Sequence, residues 1–163
     1  MRLNTKKLAI ATVFAALYAV GVIYWPLSFA VLQVRVADLM LPLSMIFGFP
    51  AALGLSLGCL VSNSVSGGLG IIDIVGGATA NLVACTLAWY IGRKGSRAQR
   101  FLGSVAETVV VGLIVGGYLS LLLHVPLEIS LLGVLIGEII AVNLIGFPIE
   151  EAIRRSKIFR KYS

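Results

Sequence analysis

The chain has 163 residues, 59% of them hydrophobic and only 12% charged, with 13 basic residues against 7 acidic ones. A water-soluble domain carries about 25% charged residues, so with a mean hydropathy of +1.02 the composition excludes a soluble enzyme, a disordered tail and a secreted disulfide scaffold. An integral membrane protein remains, read as a single transmembrane domain over residues 1–163, whose net charge of +6 must be located along the chain before it is assigned a meaning.

The first apolar run covers about 8–24 and follows Arg2, Lys6 and Lys7. No small-residue cleavage site outcompetes its continuation, so it reads as a retained span. Ala11, Ala15 and Ala19 recur along it at every fourth position. That stripe suits close helix packing inside a bundle or a flat external face for another membrane protein, and spacing alone leaves both open. Trp25 follows as an aromatic-belt anchor or a stacking surface. Two short runs come next, about 36–47 and 50–64, divided only by Gly48-Phe49-Pro50, a turn signal. They form one kinked span or a hairpin of two helices. Three long runs complete the chain at about 71–92, 101–123 and 127–153, each long enough for a hydrocarbon core of ~30 Å at ~1.5 Å per residue.

The basic residues decide between hairpin and kink. Arg2, Lys6 and Lys7 precede the first run; Arg93, Lys94, Arg97 and Arg100 separate the fourth from the fifth; Arg154, Arg155, Lys157, Arg160 and Lys161 follow the sixth. These clusters hold twelve of the thirteen basic residues, and the positive-inside rule places all three in the cytoplasm. A hairpin satisfies that rule with six crossings, whereas a single kinked span would strand the second and third clusters outside. The expected architecture is an all-α, six-helix bundle, multi-pass in the cytoplasmic membrane, with both termini cytoplasmic. The basic residues then follow topology, so the pI of about 9.7 is no sign of a nucleic-acid partner, and the basic C-terminal tail lies at lipid headgroups.

Catalytic chemistry is hard to assemble. The one histidine, His124, reads as interfacial, and Cys59 and Cys85 lie in different runs and read as small apolar residues. No metal site, cofactor motif, Walker motif or nucleophile–base pair emerges. The chain is therefore read as no enzyme, without cofactor or metal, and needs an ion gradient or a partner to move a solute uphill.

What stands out is polarity within the apolar runs, where each ionisable side chain is a functional candidate because burial in lipid costs several kcal/mol. Gln33, Arg35 and Asp38 enter the second run, and Ser62-Asn63-Ser64 end the third. Asp73 starts the fourth, Asn81 lies two turns deeper, and Glu138 lies near mid-span of the sixth. The six-helix arrangement brings these groups to the outer half, as an outward-open polar pocket. Structural alternatives stand beside each: Arg35 and Asp38 pairing at i, i+3, Asp73 as an N-cap, Asn63 as a loop cap. Glu107 is expected to reach back to the interface near Arg100.

Three stretches, LQVRVADLMLPL at 32–43, GLSLGCLVSN at 54–63 and GIIDIVGG at 70–77, resemble the QueT family. NTKKLAIATVFAALYA at 4–19 is similar to that family's first helix, and GEII at 137–140 with GFP at 146–148 to its last. Asp38 stands where a glutamate is commoner, and Glu107 where an asparagine is expected. The resemblance implies a substrate-binding (S) component of an energy-coupling factor transporter, assigned to queuosine precursors. It implies a transmembrane coupling (T) protein and two ATP-binding cassette subunits as partners, docking through Ala11, Ala15 and Ala19, and release of substrate inward by toppling. Gln33, Arg35, Asn63, Asp73 and Glu138 match positions of its pattern. A 7-deazapurine (preQ0, preQ1 or queuine) suits such a site: carboxylates at Asp38, Asp73 and Glu138 can accept its ring N–H and amines. Arg35 or an asparagine, Asn63 or Asn81, can meet its carbonyl, and Trp25 can stack on the ring. An S component for another vitamin-like molecule, and a stand-alone ion-coupled carrier, are the alternatives.

Overall fold

The computed structural model describes residues 4–24, 35–66 and 69–156, and Trp25 and Gln33 lie outside them. Asn4 caps the first helix, α1 (Thr5–Ile23), by accepting from the Lys6 N–H. The second, α2 (Val36–Phe47), is wound as a 3-10 helix through Leu43 and finishes in one α-helical turn. Gly48 then reverses the chain at φ +74°, a conformation that suits only a residue without Cβ, and α3 (Phe49–Ser66) follows with Pro50 in its first turn, where a missing N–H costs nothing. Beyond it come α4 (Ile71–Gly92), α5 (Arg97–Leu123) and α6 (Leu127–Arg155). Within α6, Ile139–Gly146 is wound as a π-helix.

Helix α5 begins before the apolar run it carries. Ser96 and Gln99 form a capping box in which each side chain accepts from the other's backbone N–H, so the helix starts among basic residues that hydropathy excludes. Its far end closes on His124, the residue in the left-handed region at φ 54°.

Among the described residues five helices are long and apolar enough to cross a membrane, and α2 is shorter. Eight residues at ~2.0 Å and four at ~1.5 Å give it about 22 Å, short of a ~30 Å core. Yet α2 still reverses the chain: Gly21 of α1 faces Ala37, and Phe14 stacks on Phe47 with ring centroids 5.3 Å apart. It is a hairpin partner of α3 enclosed largely by protein. No residue of α2 is exposed, and it packs against all five other helices, most extensively the π-helical part of α6. The approach there is so close that a Cβ on Gly146 would lie 2.5 Å from the Leu39 carbonyl oxygen. The α1–α3 seam is equally tight, since a Cβ on Gly58 would lie 2.6 Å from the Ala15 carbonyl oxygen. Ala11 and Ala19 are buried and Ala15 half-buried, so much of that stripe serves packing within the bundle.

The alternating helices bring Lys6, Lys7, Arg93, Lys94, Arg97, Arg100, Arg154 and Arg155 to one end of the bundle, here the basic end. There α5 and α6 are joined by ion pairs. Arg100 bonds Glu151 and lies 3.6 Å from Glu150, and Arg154 donates to Glu150 at 2.8 Å and to the Met45 carbonyl of α2 at 3.1 Å.

Candidate functional site

Toward the opposite end, each helix contributes polar side chains to one buried cluster. Helix α2 begins there because Arg35 is still extended, and the Asp38 N–H donates to the Arg35 carbonyl at 3.0 Å. The Arg35 guanidinium is also near enough to the Asp38 carboxyl to attract it; it meets Asp73 Oδ1 of α4 at 3.6 Å and reaches Cys59 Sγ of α3 at 3.7 Å. Asp73 sits in the first turn of α4 but does not cap it, since Gly70 holds the cap position. The Asp73 carboxylate turns inward, where Tyr118 of α5 donates to it at 2.8 Å. Asn63 of α3 donates through Nδ2 to the Asp73 carbonyl at 3.0 Å. A Cβ on Gly77 would lie 2.9 Å from that Nδ2 and 3.0 Å from Cys59 Sγ, so a glycine leaves both groups their space.

Nearer mid-depth, Tyr18 of α1 donates to Asp38 Oδ1 at 2.5 Å. The carboxyls of Asp38 and Glu138, the latter on α6, are close enough to interact, and two like charges that near repel unless a proton or a cation intervenes. Asn81 of α4 is buried on the same side of the bundle. Arg35, Asp38, Asn63, Asp73, Asn81 and Glu138 are each no more than 2% exposed.

Three carboxyl groups face one guanidinium in this cluster, so an excess of two acids is buried where water and lipid headgroups do not reach. Within this cluster four buried atoms have no hydrogen-bond partner among the described residues, Asp38 Oδ2, Asn63 Oδ1, Asn81 Nδ2 and Glu138 Oε2; outside it, Glu107 Oε2 and Glu150 Oε2 lack one as well. Of the four in the cluster, three are acceptors and one is a donor. A buried polar atom left unmet costs about 1–3 kcal/mol, and these four stand on four helices. A small molecule that met all four would present N–H donors to three of them and an acceptor to the fourth.

The structure thus brings together Arg35, Asp38, Asn63, Asp73, Asn81 and Glu138, while Trp25 and Gln33 fall outside the described residues. It adds Tyr18, Tyr118 and Cys59. The tyrosines carried a faint signal: both lie one to two turns inside a helix end, deeper than an interfacial belt requires. Cys59 gave none, since a thiol in an apolar run looks like packing, yet its sulfur faces Arg35.

Glu107 overturns an expectation. Rather than reaching the interface at Arg100, it is fully buried in α5 and accepts from Ser44 Oγ of α2 at 3.3 Å. Close by, Thr108 donates to Asn143 Oδ1 at 2.7 Å, and Asn143 donates to Ser104 at 3.0 Å. Arg100 is engaged by Glu150 and Glu151 instead. Among the described residues no group of three His, Cys, Asp or Glu side chains could hold a metal ion.

Fold and cluster together define a class: a multi-pass helical membrane protein with buried polar and charged side chains drawn from every helix. A family model described as the QueT transporter matches residues 8–155, and the chain belongs to that family of membrane transport proteins. No curated protein and no solved structure matches the chain.

Proposed function

We propose that this protein is the substrate-binding component of an energy-coupling-factor importer and that it captures a queuosine precursor, a 7-deazapurine, from outside the cell. The observation that carries this reading is the set of buried, unmet polar atoms on Asp38, Glu138, Asn63 and Asn81, with its excess of acid. A 7-deazaguanine edge offers ring and exocyclic N–H groups to carboxylates and one carbonyl oxygen to an amide donor. An aminomethyl substituent would supply the cation that the facing Asp38 and Glu138 carboxyls require.

The positive-inside rule supports the cytoplasmic membrane as location, with the basic end inside, both termini cytoplasmic and the site toward the exterior. Family membership supports the partners, a transmembrane coupling protein and two ATP-binding cassette subunits, which would drive toppling and inward release. Ala11, Ala15 and Ala19 are the proposed contact with the coupling protein. Trp25 and Gln33, outside the described residues, are proposed as further substrate contacts, Trp25 by stacking on the ring.

The test is calorimetric titration of an aminomethyl 7-deazapurine into the purified protein and into a variant carrying Asp73→Ala and Glu138→Ala. Binding by the native protein and none by the variant is expected. Unchanged binding by the variant would remove the site assignment. Uptake by the protein alone in liposomes, without ATP or partners, would favour an ion-coupled carrier.

A further inference from the structure

We infer that the α1–α3 seam at the basic end is a binding site for one anionic phospholipid. Two grooves meet there. One, of about 950 Å³, lies between the start of α1 and the α2–α3 turn and is lined by Lys6, Lys7, Phe47 and Trp89 among others. The other, of about 370 Å³, runs on between α1 and α3 past Ala11, Ala15, Leu57 and Val61. Lys7, Phe49 and Pro50 line both, so the two form one trough.

The trough is charged at one end and apolar along its length. Lys6 and Lys7 sit at its mouth, and the Arg93 guanidinium lies 5.0 Å above the Trp89 ring that forms part of the wall. None of the three takes part in an ion pair among the described residues. The first acidic residue of the sequence is Asp38, at the other end of the bundle, so nothing on α1 offsets these cations. The N-terminus of α1 adds the positive end of its dipole at the same place. From Phe49 to Val61 the seam extends about 18 Å along α3, close to half of a ~30 Å hydrocarbon core. That is the reach of one acyl chain hanging from a headgroup at the lysines. The backbones of α1 and α3 touch at this seam, and small side chains at Ala11 and Ala15 leave a groove along its surface.

The inference is independent of the substrate reading. Ala11 and Ala15 are also the contact proposed for the coupling protein, so the lipid is the occupant of the undocked protein.

Native mass spectrometry of the purified chain tests it, with dioleoylphosphatidylglycerol and dioleoylphosphatidylcholine added at equal concentration. One phosphatidylglycerol is expected to stay bound where phosphatidylcholine is lost. Replacing both lysines (Lys6→Gln with Lys7→Gln) is expected to weaken that binding about thirtyfold, at roughly fivefold per cation near a membrane surface. Thr12→Trp, which fills the trough from an exposed position, is expected to weaken it at least about fivefold. Circular dichroism identical to the native protein secures both variants as folded. Equal retention of the two lipids, retention unaffected by the lysine replacements, or retention unaffected by Thr12→Trp would each overturn the inference. A dimer mass in place of a lipid adduct would assign the trough to a second copy and overturn it too.

Discussion

The two ends of the bundle handle buried charge in opposite ways. At the basic end, Glu150 and Glu151 meet Arg100 and Arg154 from neighbouring positions and helices. At the other end, Asp38, Asp73 and Glu138 share the single guanidinium of Arg35 and leave carboxyl oxygens unmet. An unmatched buried charge costs stability, and Glu150, although its Oε2 lacks a hydrogen bond, has Arg100 and Arg154 beside it, whereas three acids have Arg35 among them. On the proposed reading, the acids short of a cation are the ones that meet the ligand. The supply of cations distinguishes the two ends more sharply than depth does, since Glu138 and Glu150 are both buried.

Four substitutions break or sharpen that contrast. The largest effect is expected from Glu138→Gln, which keeps size and removes the charge beside Asp38. Affinity for an aminomethyl 7-deazapurine should fall at least about a hundredfold, in line with the loss of a buried charged partner, while the thermal midpoint holds or rises. A lowered midpoint with unchanged affinity would make Glu138 a structural acid. The converse is expected of Arg100→Ala, which leaves Glu150 and Glu151 short of a partner. It should cost about 2 kcal/mol of stability, read as a lower melting temperature in detergent, with affinity changed less than twofold. A large loss of affinity would mean that the two ends are coupled.

Tyr118→Phe removes the hydroxyl that donates to Asp73 and nothing else. A loss of about 1 kcal/mol, or roughly fivefold in affinity, is expected, measurable by the same titration. The smallest effect on binding is expected from Glu107→Gln, because that acid lies toward the basic end and accepts from Ser44 rather than belonging to the cluster. Affinity within twofold of native is the expected outcome, and a tenfold loss would extend the site down α2.

Much of the fold was legible because lipid imposes length and charge placement on a helix. The runs at 71–92 and 127–153 lie within or on the helices that form, and the twelve clustered cations ordered the chain. The start of α5 was not, because a capping box acts through backbone geometry that hydropathy does not register. Nor was the burial of α2: a short, mostly apolar run looks alike whether lipid or protein surrounds it, and only packing by five neighbours tells the two apart.

The site divided in the same manner. Asp38, Asn63, Asp73, Asn81 and Glu138 stood out because they are polar within apolar runs. Their pairings did not, since Arg35 with Asp73 and Tyr18 with Asp38 join different helices. The sequence signal for Glu107 and Glu138 was similar, a carboxylate inside a span. What distinguishes them is the neighbour each meets, a serine hydroxyl for one and a second carboxyl for the other.

The central claim is that the acids short of a cation form the ligand site. It is tested most directly by an experimental structure of the protein with the small molecule that co-purifies with it. Density between Asp38, Glu138, Asn63 and Asn81, with a nitrogen within hydrogen-bond reach of Glu138 Oε2, is the predicted result. A ligand bound elsewhere, with those four groups still unmet, would contradict it.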